Sequence, residues 1–455
     1  MSEPITASPS PSSSRAPRPV ARVLNLVADA DQQLDDVSLD EARRRLAADD
    51  AEGVLALGGS FALVARDGES VRLARSLDRP LRYFLAKVVD GPMLVVAERI
   101  DAIREALSGE GLDGQFHPSY TRMVPAHHIV TLRLIGCPDP NPTYTRFLAP
   151  PRAVLPADLD ACGEAYVGAL LAEVDAWLAA QSDDEPLGVL FSGGIDSGAV
   201  LLAHYHRLLA TGRSPSRLKA FTLAVDGAGR DLEQAREFLR RLDLEMLLEE
   251  VAVPLDAVDP LRAVEVIEDY KPLDVQCAAV ALALAEALRA RYPDWRLLVD
   301  GDGGDENLKD YPIEENSELT IRSVVGNSML YQEGWGVDAV KHSLTYSGGQ
   351  SRGCVRTFAP LRRHGFVGFS PLTRPSVVAA AEAIPFDELT RGDHGALYAL
   401  KGEVVRRGVA HYLGVDMPIF PKRRFQHGAG ASVLAARLDV PEARLRGHFL
   451  GLHAG

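Results

Sequence analysis

The sequence predicts an α/β fold with a parallel sheet over its carboxyl-terminal two-thirds, and three observations support this prediction. First, the short apolar runs at residues 187–191, 218–225, 246–253 and 296–299 are typical of strands buried in a parallel sheet. Second, helical patterns such as the charged segment 231–242 separate these runs. Third, apolar residues recur at helical spacing before the first run, at 167–178, and after the last, at 370–409. The segment 370–409 predicts a helical cap that excludes water from the sheet edge.

A glycine-rich turn joins the first apolar run to the helix that follows it. Residues 191–197 read Phe-Ser-Gly-Gly-Ile-Asp-Ser. Adjacent glycines let a ligand approach the backbone closely, and the helix behind them presents unpaired N–H groups to an anion. The carboxylate of Asp196 suits such a site when a Mg²⁺ lies between it and the phosphates of ATP. The candidate phosphate-binding residues are Ser192, Gly193, Gly194, Asp196 and Ser197.

The alternative is an ordinary turn in which serine and aspartate only cap the helix. The turn is not a Walker loop, because no Gly-Lys-Ser/Thr follows it. The complete string Ser-Gly-Gly-Ile-Asp-Ser is much more specific than two glycines alone, and it favours ATP binding.

A second loop, rich in aspartate and glycine, follows the apolar run 296–299. Residues 300–306 read Asp-Gly-Asp-Gly-Gly-Asp-Glu. Carboxylates at the carboxyl end of a strand can coordinate a hard cation, and such ends are where open α/β sheets bind ligands. A calcium loop of the EF-hand type is disfavoured, since the terminal Glu and the flanking helices are missing. A solvated turn is the remaining alternative.

A basic segment at residues 421–428, Pro-Lys-Arg-Arg-Phe-Gln-His-Gly, is the third candidate. Such a cluster is also typical of a solvated face or an RNA-binding patch. The net charge of −14 argues against a nucleic-acid partner.

The three segments together resemble asparagine synthetases and their β-lactam-forming relatives. The first loop is similar to the pyrophosphatase loop of enzymes that split ATP into AMP and pyrophosphate. The second resembles a Ser-Gly-Glu-Gly-x-Asp-Glu segment, and the third a Lys-x-x-Phe-x-x-Gly segment of these synthetases. The resemblance implies that ATP and Mg²⁺ are the cofactors, with Asp196 and Asp305 as the metal ligands. It also implies that Lys422 contacts pyrophosphate and the adenylated intermediate.

The same resemblance extends to the substrate end of the site. Gly301 and Asp302 are expected to line the substrate carboxylate and ATP, and Asp302 stands where the family varies its residue with the substrate. Glu306 is expected to orient or deprotonate an amine, with a structural ion pair as the alternative. Leu190 and Leu223 fall where relatives surround the adenine with apolar side chains, although both also fit an ordinary core.

The first third of the chain has a different pattern. Residues 1–20 are rich in Ser and Pro, which predicts disorder and is unlike a secretory signal. Residues 21–150 contain short alternating runs, such as 60–65, 71–74 and 93–96, which indicate antiparallel strands. They resemble the glutaminase domain of asparagine synthetases, which implies an α+β sandwich of the Ntn-hydrolase type. Residues 151–455 are then the synthetase domain.

The nucleophile of such a glutaminase is missing. Those enzymes use a cysteine directly after the initiator Met, whereas this sequence has Ser2. The four cysteines are Cys137, Cys162, Cys277 and Cys354. The amino-terminal domain is therefore expected to be a degenerate relic, with an amine that does not come from glutamine.

Composition agrees with a large enzyme outside the membrane. The chain has 455 residues with 46% hydrophobic content and no apolar run long enough to span a bilayer. Scattered cysteines without CxxC pairs favour a reducing cytoplasm and argue against a zinc site. The sequence leaves the oligomeric state open, a homodimer included.

The expected function is ATP-dependent amide formation through an adenylated carboxylate, with a small-molecule or peptide carboxylate and an amine as substrates. Two alternatives remain open from the sequence. One is an intramolecular cyclase that makes a β-lactam or a lasso-type macrolactam. The other is an inactive regulatory homologue, which the presence of both acidic loops and the lysine disfavours.

Overall fold

The computed structural model describes residues 22–88, 92–133, 142–227, 229–310, 354–393, 395–421 and 432–454. Residues 1–20, for which the sequence predicts disorder, lie outside the described residues. The basic segment from Lys422 onward also lies outside them. The strands are β1 Arg22–Asn25, β2 Ala62–Asp67, β3 Ser70–Arg75, β4 Arg82–Ala86, β5 Met93–Ala97, β6 Arg122–Met123, β7 His128–Arg133, β8 Thr143–Arg146, β9 Leu187–Leu190, β10 Leu218–Val225, β11 Leu248–Val253, β12 Leu297–Val299 and β13 Val367–Phe369.

Helices flank these strands throughout the described residues. They are α1 Leu39–Ala47, α2 Ala51–Leu55, α3 Ile100–Gly109, α4 Leu159–Ala179, α5 Ile195–Ala210, α6 Arg230–Arg240, α7 Pro260–Ile267, α8 Pro272–Arg291, α9 Gly304–Asn307, α10 Ala359–Arg363, α11 Pro375–Glu382, α12 Phe386–Thr390, α13 Ala396–Leu413, α14 Ser432–Leu438 and α15 Glu442–His453. A short π-helix, Cys354–Phe358, precedes α10.

The predicted parallel sheet is confirmed. Five strands lie in the order β11-β10-β9-β12-β13, and every neighbouring pair is parallel. Helices cover both faces of this sheet. The reason is visible in β10, whose side chains alternate between two apolar cores. Leu218 and Ala220 pack with α4 and α5, while Phe221, Leu223 and Val225 pack with α7 and α8.

The chain segments match the sequence predictions closely, with one omission. The runs at 187–191, 218–225, 246–253 and 296–299 contain β9, β10, β11 and β12, and helices occupy most of the segment 370–409. Strand β13 was not predicted, since it has only three residues and one of them is glycine. It pairs with β12 and forms one edge of the sheet.

Residues 22–146, here called the amino-terminal unit, form two four-stranded sheets. One has the order β1-β5-β4-β6 and the other β2-β3-β7-β8. The sheets share a core to which Leu73 and Val130 contribute from one sheet and Leu94 and Val96 from the other. The pairs are antiparallel as predicted, except that β1 runs parallel to β5. Alternation of side chains does not encode strand direction, so this exception was not visible in the sequence. That the unit is an Ntn-hydrolase-like sandwich stays a prediction.

A buried histidine in α5 predicts acid sensitivity of the fold. His204 is fully buried beside the stacked rings of Trp177 and Phe369, and its Nδ1 lies 2.8 Å from the carbonyl oxygen of Val200. Burial lowers the pKa of His204 to about 4. The unfolded chain therefore binds more protons than the folded chain between about pH 6.5 and pH 4.

We expect the free energy of unfolding to fall as pH decreases through that window, by an amount on the order of 3 kcal/mol from this residue. Urea unfolding at several pH values measures the effect, and His204→Phe is expected to flatten the curve. His448→Phe, a change at a half-buried histidine of α15, is the control. An unchanged pH dependence in His204→Phe would contradict the assignment.

Candidate active site

The two loops singled out in the sequence lie side by side at the carboxyl end of the parallel sheet. The first follows β9 and the second follows β12, and these strands are neighbours in the sheet. Gly193 has φ +72, and a Cβ there would lie 2.8 Å from the backbone nitrogen of Ala235 in α6. The turn therefore depends on glycine both for its backbone conformation and for its contact with α6.

Hydrogen bonds fix the shape of the first loop. The Oγ atoms of Ser192 and Ser197 lie 3.3 Å apart, and the N–H of Gly194 donates to Ser192 Oγ at 3.3 Å. From α6, the side-chain amide of Gln234 donates to the carbonyl oxygen of Ser192 at 3.3 Å. Gly194 directly precedes α5, whose first turn carries Asp196. The loop thus places hydroxyl groups and a carboxylate around a helix N-terminus.

Close packing joins the second loop to the first. A Cβ at Gly301 would lie 2.8 Å from the backbone nitrogen of Ser197, and one at Gly304 would lie 2.2 Å from the carboxyl group of Asp196. Asp300 shapes the loop, since one of its carboxylate oxygens accepts a hydrogen bond from the N–H of Asp302 at 3.0 Å. Only glycine at positions 301 and 304 permits the two loops to meet in this way.

A lysine that the sequence analysis did not select lies between the two loops. Lys401 extends from α13, and its Nζ lies 2.6 Å from Asp196 Oδ2 and 2.5 Å from Asp305 Oδ1. A third carboxylate, that of Asp310, lies 3.7 Å from the same ammonium. Lys401 itself is 2% exposed, whereas the side chain of Asp305 is 41% exposed. The aspartates therefore face the opening of the site, and the lysine supports them from the buried side.

The electrostatics of this group are those of a buried ammonium shared by three carboxylates. Burial alone would lower the pKa of Lys401, but Asp196, Asp305 and Asp310 outweigh it and hold that pKa well above its ordinary value. The ammonium of Lys401 is therefore charged. Asp196 and Asp305, which belong to different loops, thus converge on one positive charge. Two carboxylates that converge in this way fit a Mg²⁺, which proteins commonly hold through one or two carboxylates together with substrate phosphates. Among the described residues, no group of three His, Cys, Asp or Glu side chains could hold a metal by itself.

Other acidic groups lie at the far end of the second loop. Thr357 donates a hydrogen bond from its hydroxyl to Asp302 Oδ2. Arg356 lies with Nε 3.2 Å from Asp274 and with a terminal nitrogen 3.9 Å from Glu306. Burial, and then the nearby Asp300, raises the pKa of Asp302 well above its usual range. We call Asp302, Glu306, Asp274, Arg356 and Thr357 the acidic end of the site.

The remaining predicted site residues are placed as follows. Leu190 is half-buried at the end of β9, and Leu223 is 3% exposed on β10, so Leu223 belongs to the core. A role of either leucine at the adenine stays a prediction. Lys422 lies outside the described residues, so the predicted contact with pyrophosphate also stays a prediction.

Part of the chain is similar to a known family. Residues 174–340 match the family model described as asparagine synthase. The matched segment includes both loops, with Asp196 and Asp305. It supports an asparagine synthetase-like, ATP-using ligase of the amide-forming class, with the ATP-pyrophosphatase fold. No curated protein matches the chain.

The signal for Lys401 was present in the sequence. In α13, buried positions recur at Leu397, Leu400, Val404 and Val405, and Lys401 belongs to the same face. A lysine on the apolar face of a helix requires carboxylate partners or solvation of its ammonium group, because an unpaired buried ammonium is very unfavourable. As for membranes, no described helix has both the length and the hydropathy to span a bilayer.

Proposed function

We propose that the protein adenylates a carboxylate at the expense of ATP and then joins it to an amine. In the first step a carboxylate oxygen attacks the α-phosphorus, the bond from this phosphorus to the β-bridging oxygen breaks, and pyrophosphate leaves. In the second step the amine nitrogen attacks the acyl carbon, and AMP leaves with the electrons of the broken C–O bond. The convergence of Asp196 and Asp305 on one cationic centre between the two loops is the observation that carries this proposal.

The first loop would bind the phosphates through its serine hydroxyls and the N-terminus of α5. Asp196 and Asp305 would hold Mg²⁺ in the ATP complex. When bound, Mg²⁺ would neutralise phosphate charge and orient the triphosphate. Lys401 keeps the two carboxylates at a fixed separation and supplies a further positive charge at the same place. Lys422 is the candidate for a second lysine at the leaving pyrophosphate.

The acidic end of the site suits the second step. Asp302 and Glu306 lie on either side of Asp305 along the second loop. An amine that arrives there as an ammonium ion meets acidic groups, of which Glu306 is the candidate to accept its proton. Glu306 is the candidate that orients the amine, and Asp302 the candidate that faces the acyl group.

The amine is proposed to come from solution or from the acylated substrate itself. Residues 22–133 contain no cysteine, and the buried Cys162 and Cys277 lie on α4 and α8 around the parallel sheet. The remaining cysteine of the unit, Cys137, lies outside the described residues, and Ser2 stands where a glutaminase of this family would carry its nucleophilic cysteine. Ligation to a free amine and intramolecular cyclisation share the adenylation step, and the mass of the product distinguishes them.

Exchange of labelled pyrophosphate into ATP tests this function before the amine is known. We expect exchange that depends on both Mg²⁺ and an added carboxylic acid, in a screen of amino acids, β-amino acids and short peptides. Formation of AMP in the same reactions should match pyrophosphate release one for one. Cleavage of ATP to ADP and phosphate would contradict the proposal.

A further inference from the structure

The π-helix Cys354–Phe358 connects the acidic end of the site to the amino-terminal unit. Three consecutive side chains make the connection. Arg356 lies against Asp274 and Glu306, and Thr357 donates to Asp302. Phe358, the next residue, faces the amino-terminal unit. Five-residue π-helical turns are frequent at functional sites because they direct neighbouring side chains to different partners.

Two arginines lie close to the ring of Phe358. The guanidinium carbons of Arg79, from the amino-terminal unit, and of Arg362, from α10, each lie 5.8 Å from the ring centroid. Both arginines bind the same carboxylate. Arg79 Nε lies 2.8 Å from Glu98 Oε1, and a terminal nitrogen of Arg362 lies 2.6 Å from Glu98 Oε2. The two cation–π contacts and the shared counterion Glu98 hold the ring in position.

Asp31, the second carboxylate partner of Arg362, strengthens the same junction. Asp31 of the amino-terminal unit accepts from Arg362 through its side chain and from Arg79 through its carbonyl oxygen. The side chain of Arg79 is only 3% exposed. Breaking one member of a buried, hydrogen-bonded charge pair leaves the other uncompensated, so this junction resists displacement.

A second connection is made by Glu268, which follows α7. Its carboxylate accepts hydrogen bonds from the backbone N–H groups of Ile100 and Asp101, both at 2.9 Å. It therefore caps the N-terminus of α3, a helix of the amino-terminal unit. Glu268 is 3% exposed, and the next residue, Asp269, lies close enough to Asp274 for each to influence the other's charge. The segment that carries Asp274 is thus anchored to the amino-terminal unit as well.

We infer that the amino-terminal unit is a positioning element of the synthetase site, and that Arg79 acts on Asp302 and Glu306 through Phe358 and its two preceding residues. Arg79 is a positioning residue, since it touches neither loop of the site. The role of Asp302 and Glu306 in this inference rests on the proposed function. The contact between the amino-terminal unit and the π-helix does not rest on the proposed function. It concerns only how these two parts of the protein hold each other in place.

Hydrogen–deuterium exchange on the full chain tests the inference without any substrate. We expect Arg79→Met and Arg362→Met to increase amide exchange severalfold in peptides covering residues 354–363 and 300–310. Exchange in residues 187–203, at the first loop, should stay as in the wild type. Arg79→Lys keeps the charge beside Glu98 and is expected to restore part of the protection. Arg296→Met is the matched control, since this half-exposed arginine pairs with Glu185 at the opposite end of β12.

Protection at 300–310 that is unchanged in both variants would overturn the inference. Uniformly raised exchange over the whole chain would also overturn it, since that result indicates only global destabilisation. Arg362 is 36% exposed, so its substitution keeps the test available where Arg79→Met does not fold. Thr357→Val gives a further variant, with raised exchange expected at 300–310 alone.

Kinetics separate this inference from the proposed function. In the pyrophosphate exchange reaction, Arg362→Met is expected to raise KM for the acid about tenfold, as loss of one positioning contact does, with KM for ATP unchanged. Equal changes in both constants would contradict a positioning role. Absence of exchange in the wild type would contradict the proposed function only, and the deuterium measurement would still decide the inference.

Discussion

Replacing Lys401 by methionine is expected to slow ATP-dependent adenylation by about 100- to 1000-fold, the loss typical of one preorganised charge at a reacting phosphate. Methionine has nearly the length of lysine and fills the same space in α13, so packing is kept while the ammonium is lost. Asp196 and Asp305 would then face each other, with Asp310 nearby, and no buried cation would hold them. Initial rates of pyrophosphate release at saturating ATP measure the effect.

Lys309→Met is the matched control for this substitution. Lys309 is as buried as Lys401, and its ammonium pairs with Glu382 behind the site. Loss of either ammonium is expected to destabilise the fold by several kcal/mol, since each removes a buried positive charge from its carboxylate partners. Millimolar Mg²⁺ should recover part of the melting temperature of Lys401→Met and none of that of Lys309→Met. Equal recovery in both variants would contradict a cation site at Asp196 and Asp305.

The sequence predicted the parts of this site in which backbone conformation and chemistry are encoded together. Gly193 and Gly194 between a strand and a helix, and Gly301 and Gly304 among aspartates, carry their own structural reasons. Because parallel strands present their carboxyl ends at one edge, two such loops could be expected to meet there. The structure adds that the loops touch, with the carboxyl group of Asp196 against Gly304.

The parts that escaped prediction depend on contacts distant in sequence. Lys401 is separated from Asp196 by 205 positions, and only the packing of α13 against the sheet brings them together. Arg79 and Phe358 lie still further apart along the chain. Hydrophobic periodicity can place a side chain on the buried face of a helix or strand. It does not identify the residue that this side chain contacts.

The interpretation of the first third of the chain changes for the same reason. The sequence alone predicts, from Ser2 in place of a cysteine, only an activity that this unit has lost. The ion pair of Arg362 with Glu98 and the cap that Glu268 places on α3 connect the unit to the rest of the chain. A unit that had lost every role would be free to lose these buried charges, because apolar replacements of similar volume are usually no less stable.

Replacing Asp196 by asparagine is expected to reduce turnover of ATP to AMP by about 1000-fold, equivalent to about 4 kcal/mol of transition-state stabilisation. Asparagine preserves the volume beside Gly304 and removes only the charge. A weaker metal ligand should also shift the Mg²⁺ concentration for half-maximal activity upward. Titration of the exchange rate with MgCl₂ at constant free ATP measures both effects.

Asp310→Asn is the charge-matched control for Asp196→Asn. Asp310 contributes the same charge to the same ammonium, but its carboxylate lies 3.7 Å away instead of 2.6 Å. If the group acts only through its summed negative charge, both variants should lose activity equally, and the assignment of Asp196 as a metal ligand would fail. If Asp196 binds the metal directly, only Asp196→Asn should change the Mg²⁺ dependence. Full turnover in Asp196→Asn would exclude the proposed mechanism altogether, because the first loop offers no other carboxylate between Ser192 and Ser197.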